Sequence, residues 1–253
     1  MGLYLQTGSE DVLEMAAAAG FDYGILDAQH GSLGMESIVS LLRAADASGI
    51  TPLVRVPSHD PTFIMRVLDA GAMGVVVPNI DTAEQARTVV GAARYKLDDN
   101  GGTRGACPST RAAWHQAEDW KSFVVEANAD VVVWLIVESQ LGLDNLPEIA
   151  GVPGIDGLIP GTFDLSHEMG LLGERTHATV NDKFLSMARL AKEMGVPLVR
   201  SLRASEPTAM AAEIRTWTEL GACAFGLGGD RRIVSQAFKA RVAAARHALG
   251  LPA

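Results

Sequence analysis

Residues 131–137 are seven consecutive apolar side chains, and Glu138 follows them directly. A run this short and this rich in β-branched residues reads as a strand buried on both faces, as in a parallel sheet, rather than as a helix. A second strand-like run, residues 155–159, is followed by Pro160-Gly161-Thr162-Phe163-Asp164. Each strand therefore has a carboxylate just past its C-terminal end. Parallel neighbours lie roughly 4.8 Å apart, so Glu138 and Asp164 can converge on one point. Two hard oxygen ligands at one point suit a divalent cation.

The rest of the chain repeats the same strand-then-helix unit. Strands are expected at residues 2–6, 23–27, 52–55, 74–78, 131–137, 155–159, 197–200 and 222–227. Helices are expected at 10–19, 35–48, 61–70, 82–94, 112–127, 182–194, 207–220 and 230–249. Ser9 reads as an N-cap, Gly20, Gly49 and Gly71 as helix stops, and Asp60-Pro61 as N-cap and first helical position. Residues 95–111 and 165–180 show no periodicity, and long irregular stretches in a compact domain are usually functional or disordered. Residues 141–150 join the fifth and sixth strands. Strict alternation implies a parallel sheet. Eight units in 253 residues match a closed (β/α)8 barrel of about 250 residues, read as one domain over 1–253. The nearest dinucleotide fingerprint, Gly226-Leu227-Gly228-Gly229-Asp230-Arg231, carries Arg231 at its third glycine position, which weakens a Rossmann reading.

Several functions are excluded at this level. A net charge of −9 and no basic stripe argue against a nucleic-acid partner. No apolar run approaches the ~18 residues of a membrane span, and the N-terminus lacks the pattern of a signal peptide, so a soluble cytoplasmic protein is the expectation. Cys107 and Cys223 read as two buried thiols rather than a disulfide.

In such a barrel the strand C-termini form the face that holds the site. Asp27-Ala28-Gln29-His30-Gly31 follows strand two, Arg55 ends strand three, and Glu138 and Asp164 follow strands five and six. None of the lysines (Lys96, Lys121, Lys183, Lys192, Lys239) falls at a strand end, which disfavours a Schiff-base mechanism. His59, His115 and His167 read as surface or loop residues, Arg104 as a solvated loop residue, and Trp114 and Trp120 as packing or subunit-contact residues. The apolar stripe of the last helix (Ile233, Ala237, Val242, Leu249) reads as ordinary barrel packing.

The segments 27–31, 52–57, 66–72, 102–105, 137–139 and 160–166 resemble, in order and spacing, the motifs of the HpcH/HpaI aldolase family. The resemblance covers nearly the whole chain. It implies a barrel of the phosphoenolpyruvate/pyruvate type and a class II, metal-dependent aldolase acting at C3 of pyruvate or a similar 2-oxo acid. It further implies that Glu138 and Asp164 ligate Mg²⁺ or Mn²⁺, with Co²⁺ or Zn²⁺ as further candidates, and that Arg55 contacts the keto oxygen. His30, held by Asp69 and Asp27, would be the acid/base, and backbone amides near Phe163 and Asp164 would receive the substrate carboxylate. It implies a 2-oxo acid and an aldehyde as partners, and a homohexamer built as a trimer of dimers in which the last helix is exchanged between subunits. A neutral imidazole suits general-base work near pH 7, and fixed positive charge is what a developing enolate needs.

Four departures from the family pattern stand out. The chain starts at strand one, without the helix that usually precedes it. Gln29 stands where a Glu is common, beside His30 and the substrate. Ile136 stands where a Gln often orients the substrate. Thr162 and Phe163 replace a Pro-Ala pair, placing a ring where the carboxylate docks. These changes point to a different acceptor or 2-oxo acid. They keep two rivals in view: another carbon–carbon reaction on the same enolate, either citrate-synthase-like or a decarboxylation of oxaloacetate, and a barrel that binds a 2-oxo acid without turnover.

Overall fold

The structure is a computed structural model and describes residues 1–252. Eight strands close into one barrel in chain order: β1 (Gly2–Leu5), β2 (Tyr23–Asp27), β3 (Thr51–Arg55), β4 (Gly74–Val77), β5 (Val132–Val137), β6 (Gly157–Pro160), β7 (Leu198–Ser201) and β8 (Ala222–Gly229). Every neighbouring pair is parallel, and β8 returns to β1. This is the (β/α)8 barrel that the alternation predicts. Helices α1 (Glu10–Ala18), α2 (Met35–Ser48), α3 (Pro61–Asp69) and α4 (Ala83–Ala93) follow the first four strands. Their starts obey local chemistry. Ser9 accepts from the Val12 amide, Asp60 accepts from the Thr62 amide with Pro61 next in line, and Thr82 and Gln85 form a reciprocal capping box.

The period-two rule sorts the strand side chains into two layers. Ile25, Leu53, Val76, Trp134, Ile136, Ile159 and Val199 pack inside the barrel. Leu26, Val54, Val75, Val133, Leu135 and Leu158 face the helices. Continuing the inward set by two residues puts Asp27, Arg55 and Glu138 at the upper rim of the interior. Low in the barrel, Tyr23 and Trp134 meet edge to face with ring centroids 5.3 Å apart.

Four stretches differ from the sequence expectation. The helix expected over 112–127 begins later, as α5 (Trp120–Asp130), because Asp119 caps it by accepting from the Ser122 amide. Residues 111–113 make one 3₁₀ turn instead, closed by Trp114 and His115 in the left-handed region. The connection over 141–150 folds into α6 (Gln140–Asp144) and α7 (Leu146–Ala150). The irregular stretch 165–180 overlaps the end of α8 (Thr162–Glu168) and the start of α9 (Ala178–Glu193). Beyond α10 (Pro207–Glu219), the last helix α11 (Asp230–Ala248) does not pack along the barrel. Asp230 is its only buried residue, and Ile233, Phe238 and Val242 are exposed.

The two thiols expected inside are both exposed. Among the described residues, no helix is long and apolar enough to cross a membrane.

Candidate active site

The seam between β6 and β7 pairs at a single register point, Leu158 with Leu198. Above it lies a cleft of about 210 Å³ whose walls include Arg55, Glu138, Phe163, Asp164, Arg175 and Arg203. A larger cavity of about 340 Å³ lies at the opposite mouth, where Met73 and Val131 lead into β4 and β5. Size favours the second cavity, but strand C-termini and paired carboxylates favour the first, and chemistry decides.

Glu138 is buried, and its Oε1 accepts from the Asn79 amide at 3.0 Å. Asn79 sits in the left-handed region (φ 57°), which asparagine tolerates. Gly161 is required beside it, since a Cβ there would lie 2.2 Å from the Glu138 Cβ and 2.6 Å from Oε2. Burial, and next the negative charge of Asp164, push the Glu138 carboxyl up to about 7, while Arg55 opposes the shift. The two carboxylates thus face each other. Asp164 itself is exposed, in the first turn of α8, a helix start that no side chain caps.

Arg55 is held in one plane. Its Nε and Nη2 donate to the two oxygens of the fully buried Asp27 at 2.9 and 2.6 Å, and its guanidinium lies 4.9 Å from the Tyr4 ring centroid. Nη1 is left uncommitted among the described residues. Asp27 also accepts from Gln6 Nε2 at 2.7 Å and from the Gln29 and His30 amides at 3.1 Å each. Burial works against the charged carboxylate, but Arg55 and the other donors outweigh it and hold the Asp27 carboxyl below its ordinary range.

The predicted residues do not all meet. Arg55, Glu138, Phe163 and Asp164 share the cleft. Gln29 and His30 lie on the β2–α2 loop, tied to the site through Asp27, with the His30 side chain exposed. Within the chain, neither expected carboxylate holds His30. Asp27 spends both side-chain oxygens on Arg55, Gln6 and backbone, and Asp69 pairs with Arg104 at 2.7 Å. Asp69 ends α3, on the far side of the barrel from the strand tips, so chain direction places it there. Arg104, expected to be solvated, is buried between Asp69 and the Tyr95 ring.

Sequence reasoning missed four charged or aromatic cleft residues. Tyr4 and Arg203 sit at or just past strand ends as Arg55 does, whereas Arg200, two residues on from the helix-facing Leu198, turns its guanidinium to the Trp217 ring. Arg175 lies in a stretch with no periodic signal.

A family model described as HpcH/HpaI aldolase/citrate lyase matches residues 1–229. The chain belongs to that family. It is 34% identical over 198 residues to a 2-dehydro-3,6-dideoxy-6-sulfogluconate aldolase of Pseudomonas putida, covering 78% of this chain and 76% of the relative. It is 38% identical over 174 residues to a 4-hydroxy-2-oxovalerate aldolase of Novosphingobium aromaticivorans, covering 68% and 64%. The solved structure of the citrate synthase SbnG superposes with a TM-score of 0.86 at 26% identity, covering 97% of this chain and 92% of that one. In this HpcH/HpaI member segments 27–31, 52–57, 137–139 and 160–166 lie at strand ends or directly after them, while 66–72 and 102–105 meet on the far side of the barrel through Asp69 and Arg104.

Proposed function

We propose that this chain is a metal-dependent aldolase, a carbon–carbon lyase that cleaves or forms 4-hydroxy-2-oxo acids through a pyruvate-type enolate. The observation that carries this reading is the meeting of Glu138 and Asp164 beside a guanidinium with a free edge. The aldolase names of its relatives support the reaction class.

The donor set suits a hard divalent ion. Two acidic side chains converge, and among the described residues no third His, Cys, Asp or Glu joins them. An ion such as Mg²⁺, held by one or two carboxylates with the remaining positions left to water and substrate, matches that count; a closed four-ligand zinc site does not. Mn²⁺ binds comparable oxygen donors. Glu138 and Asp164 would hold the ion, which would supply fixed positive charge beside the substrate oxygens.

The chain's own groups do the rest. Arg55 Nη1 points its hydrogen bonds at the keto oxygen, where negative charge develops as the bond to C3 breaks. The Asp27 carboxylate and the Tyr4 ring keep that guanidinium from turning away. Amides of Phe163 and Asp164, in the uncapped first turn of α8, receive the substrate carboxylate. Ile136, Ile159 and Leu202 line the cleft and exclude water. His30 on the rim loop moves the proton of the hydroxyl at C4 through a water molecule. No lysine lines the cleft, in keeping with a route that needs no Schiff base. The chain works as a homo-oligomer, a hexamer of three dimers, in which the exposed apolar residues of α11 pack on another copy.

The test is pyruvate release from a 4-hydroxy-2-oxo acid. EDTA abolishes it, and Mg²⁺ or Mn²⁺ restores it; turnover that survives the chelator overturns the reading. The likeness to SbnG favours one second reading, condensation of the same enolate with a keto acid. Following decarboxylation and acceptor consumption with oxaloacetate separates the two.

A further inference from the structure

The stretch Gly226-Leu227-Gly228-Gly229-Asp230-Arg231 is no dinucleotide fingerprint, and its last two residues fasten loops instead. Asp230 opens α11 directly past β8. It is 2% exposed, and among the described residues no cation pairs with it. Its carboxylate accepts from the Gln6 amide at 3.0 and 3.1 Å, from the Thr7 amide at 2.9 Å, from the Thr7 hydroxyl at 2.6 Å and from the Arg231 amide at 2.6 Å. A buried carboxylate is tolerated when hydrogen bonds meet its oxygens. Here those bonds also tie the β1–α1 loop to the root of α11, above a seam where the β1–β8 register shifts between Gly2 and Tyr4.

Arg231 reaches from that anchor to the next loop. Its Nη2 donates to Ser32 Oγ at 3.0 Å and its Nη1 to the His30 carbonyl at 3.5 Å. The β2–α2 loop also rests on the β1–α1 loop. A Cβ on Gly31 would lie 2.1 Å from the Asp27 carbonyl oxygen and 3.4 Å from the Gln6 Cα, so only glycine lets the turn close this tightly over its neighbour. Gln6 completes the ring. Its Nε2 donates to Asp27 at 2.7 Å, and Asp27 accepts from the His30 amide at 3.1 Å. The His30 side chain itself is exposed, so its place is set through the backbone, by Asp27 on the amide side and Arg231 on the carbonyl side.

We propose that Arg231 is a positioning residue for the reaction: with Asp230 as its buried anchor, it holds the loop that carries His30, so that the imidazole stays within reach of the substrate hydroxyl at C4. This rests on the aldolase reading and on the role given there to His30. Arg231 is not among the residues that line the cleft, so its influence on the chemistry passes through His30. A displacement of about 1 Å in an acid/base group can cost about 10²-fold in rate.

The experiment follows pyruvate release from 4-hydroxy-2-oxopentanoate by the Mn²⁺-loaded enzyme, in the wild type, Arg231→Met, Arg231→Lys, His30→Asn and the double variant of Arg231→Met with His30→Asn. Arg231→Met lowers kcat at least about tenfold, and Arg231→Lys, which still donates to the loop, recovers part of the loss. In the His30→Asn background Arg231→Met costs less than about twofold more, because the group it positions is gone. Calorimetric titration with oxalate, a planar dianion shaped like the pyruvate enolate, gives the same affinity in the wild type and in Arg231→Met, since Arg55, Glu138 and Asp164 are untouched. An unchanged kcat in Arg231→Met, the full loss repeated on top of His30→Asn, or an oxalate affinity that falls in step with kcat overturns the proposal and leaves the aldolase reading intact. A His30→Asn variant as active as the wild type removes the role of His30 and overturns the proposal with it. No pyruvate release from the wild type overturns the aldolase reading itself, and the proposal that rests on it.

Discussion

The two ends of the cleft are opposite in charge and alike in incompleteness. At one end Glu138 and Asp164 face each other, and burial with mutual repulsion pushes Glu138 up to about 7. At the other end burial, then the neighbouring Arg203, push the Arg200 guanidinium down to about 10, where it is still charged at neutral pH. Neither end neutralises the other, because each is held by its own scaffold: Asn79 and Gly161 for the acids, Glu213 and Phe163 for the arginines. Between them, Arg55 and Asp27 form a bidentate pair that satisfies the carboxylate and leaves only Arg55 Nη1 free. A bidentate pair fixes geometry, whereas a cluster of one sign raises the local field without fixing a partner.

The comparison is sharpest at the acidic end. Asp164→Asn or Glu138→Gln lowers kcat by about 10³-fold, as when a main stabiliser of the transition state is lost. The loss is the same for neutral and anionic aldehydes, and steady-state kinetics with both acceptors reads it. A loss confined to one acceptor would break the assignment of the acids to the shared step.

The next effect falls on the central pair. Asp27→Asn leaves the Arg55 guanidinium, whose side chain is 15% exposed, beside a neutral amide. Removing one partner of a buried pair costs about 3 kcal/mol, which denaturant unfolding measures. The same variant loses more stability than Glu138→Gln, which removes repulsion rather than attraction.

The smallest effect is one of pH. The Glu138 carboxyl has a folded pKa near 7, above its unfolded value, so the folded state holds the extra proton. The stability this contributes is fully present below pH 4.5 and is lost as pH rises through 7. In EDTA-treated protein the Tm therefore falls across that window. Glu138→Gln flattens the fall, and added Mn²⁺ reverses it by binding the ionised pair. A Tm that rises from pH 5 to 7 in the EDTA-treated protein and is indifferent to Glu138→Gln would show that the two acids do not meet.

The barrel was legible because its evidence is local and periodic. Each strand is a short apolar run, each helix start carries its own cap, and inward-facing positions recur every second residue, which carries Asp27, Arg55 and Glu138 to the rim without reference to distant parts of the chain. Where a cap was overlooked, as at Asp119, the helix boundary moved with it. Glu138 and Asp164 were nameable because both follow apolar runs that become adjacent strands.

What the amino-acid order determined, then, was the set of side chains delivered to the strand tips, since direction along a strand is a property of the strand alone. What only the tertiary structure decided was partnership. Asp69 goes to Arg104 rather than His30, Asp27 gives both oxygens to Arg55, Gln6 and backbone, and α11 stands off the barrel. Arg175, Arg200 and Arg203 come from a strand end and two loops, and the crossing of residue 173 over the Phe163 ring is what carries Arg175 there. Pairing of this kind depends on distances between segments remote in sequence, and no local propensity encodes those distances.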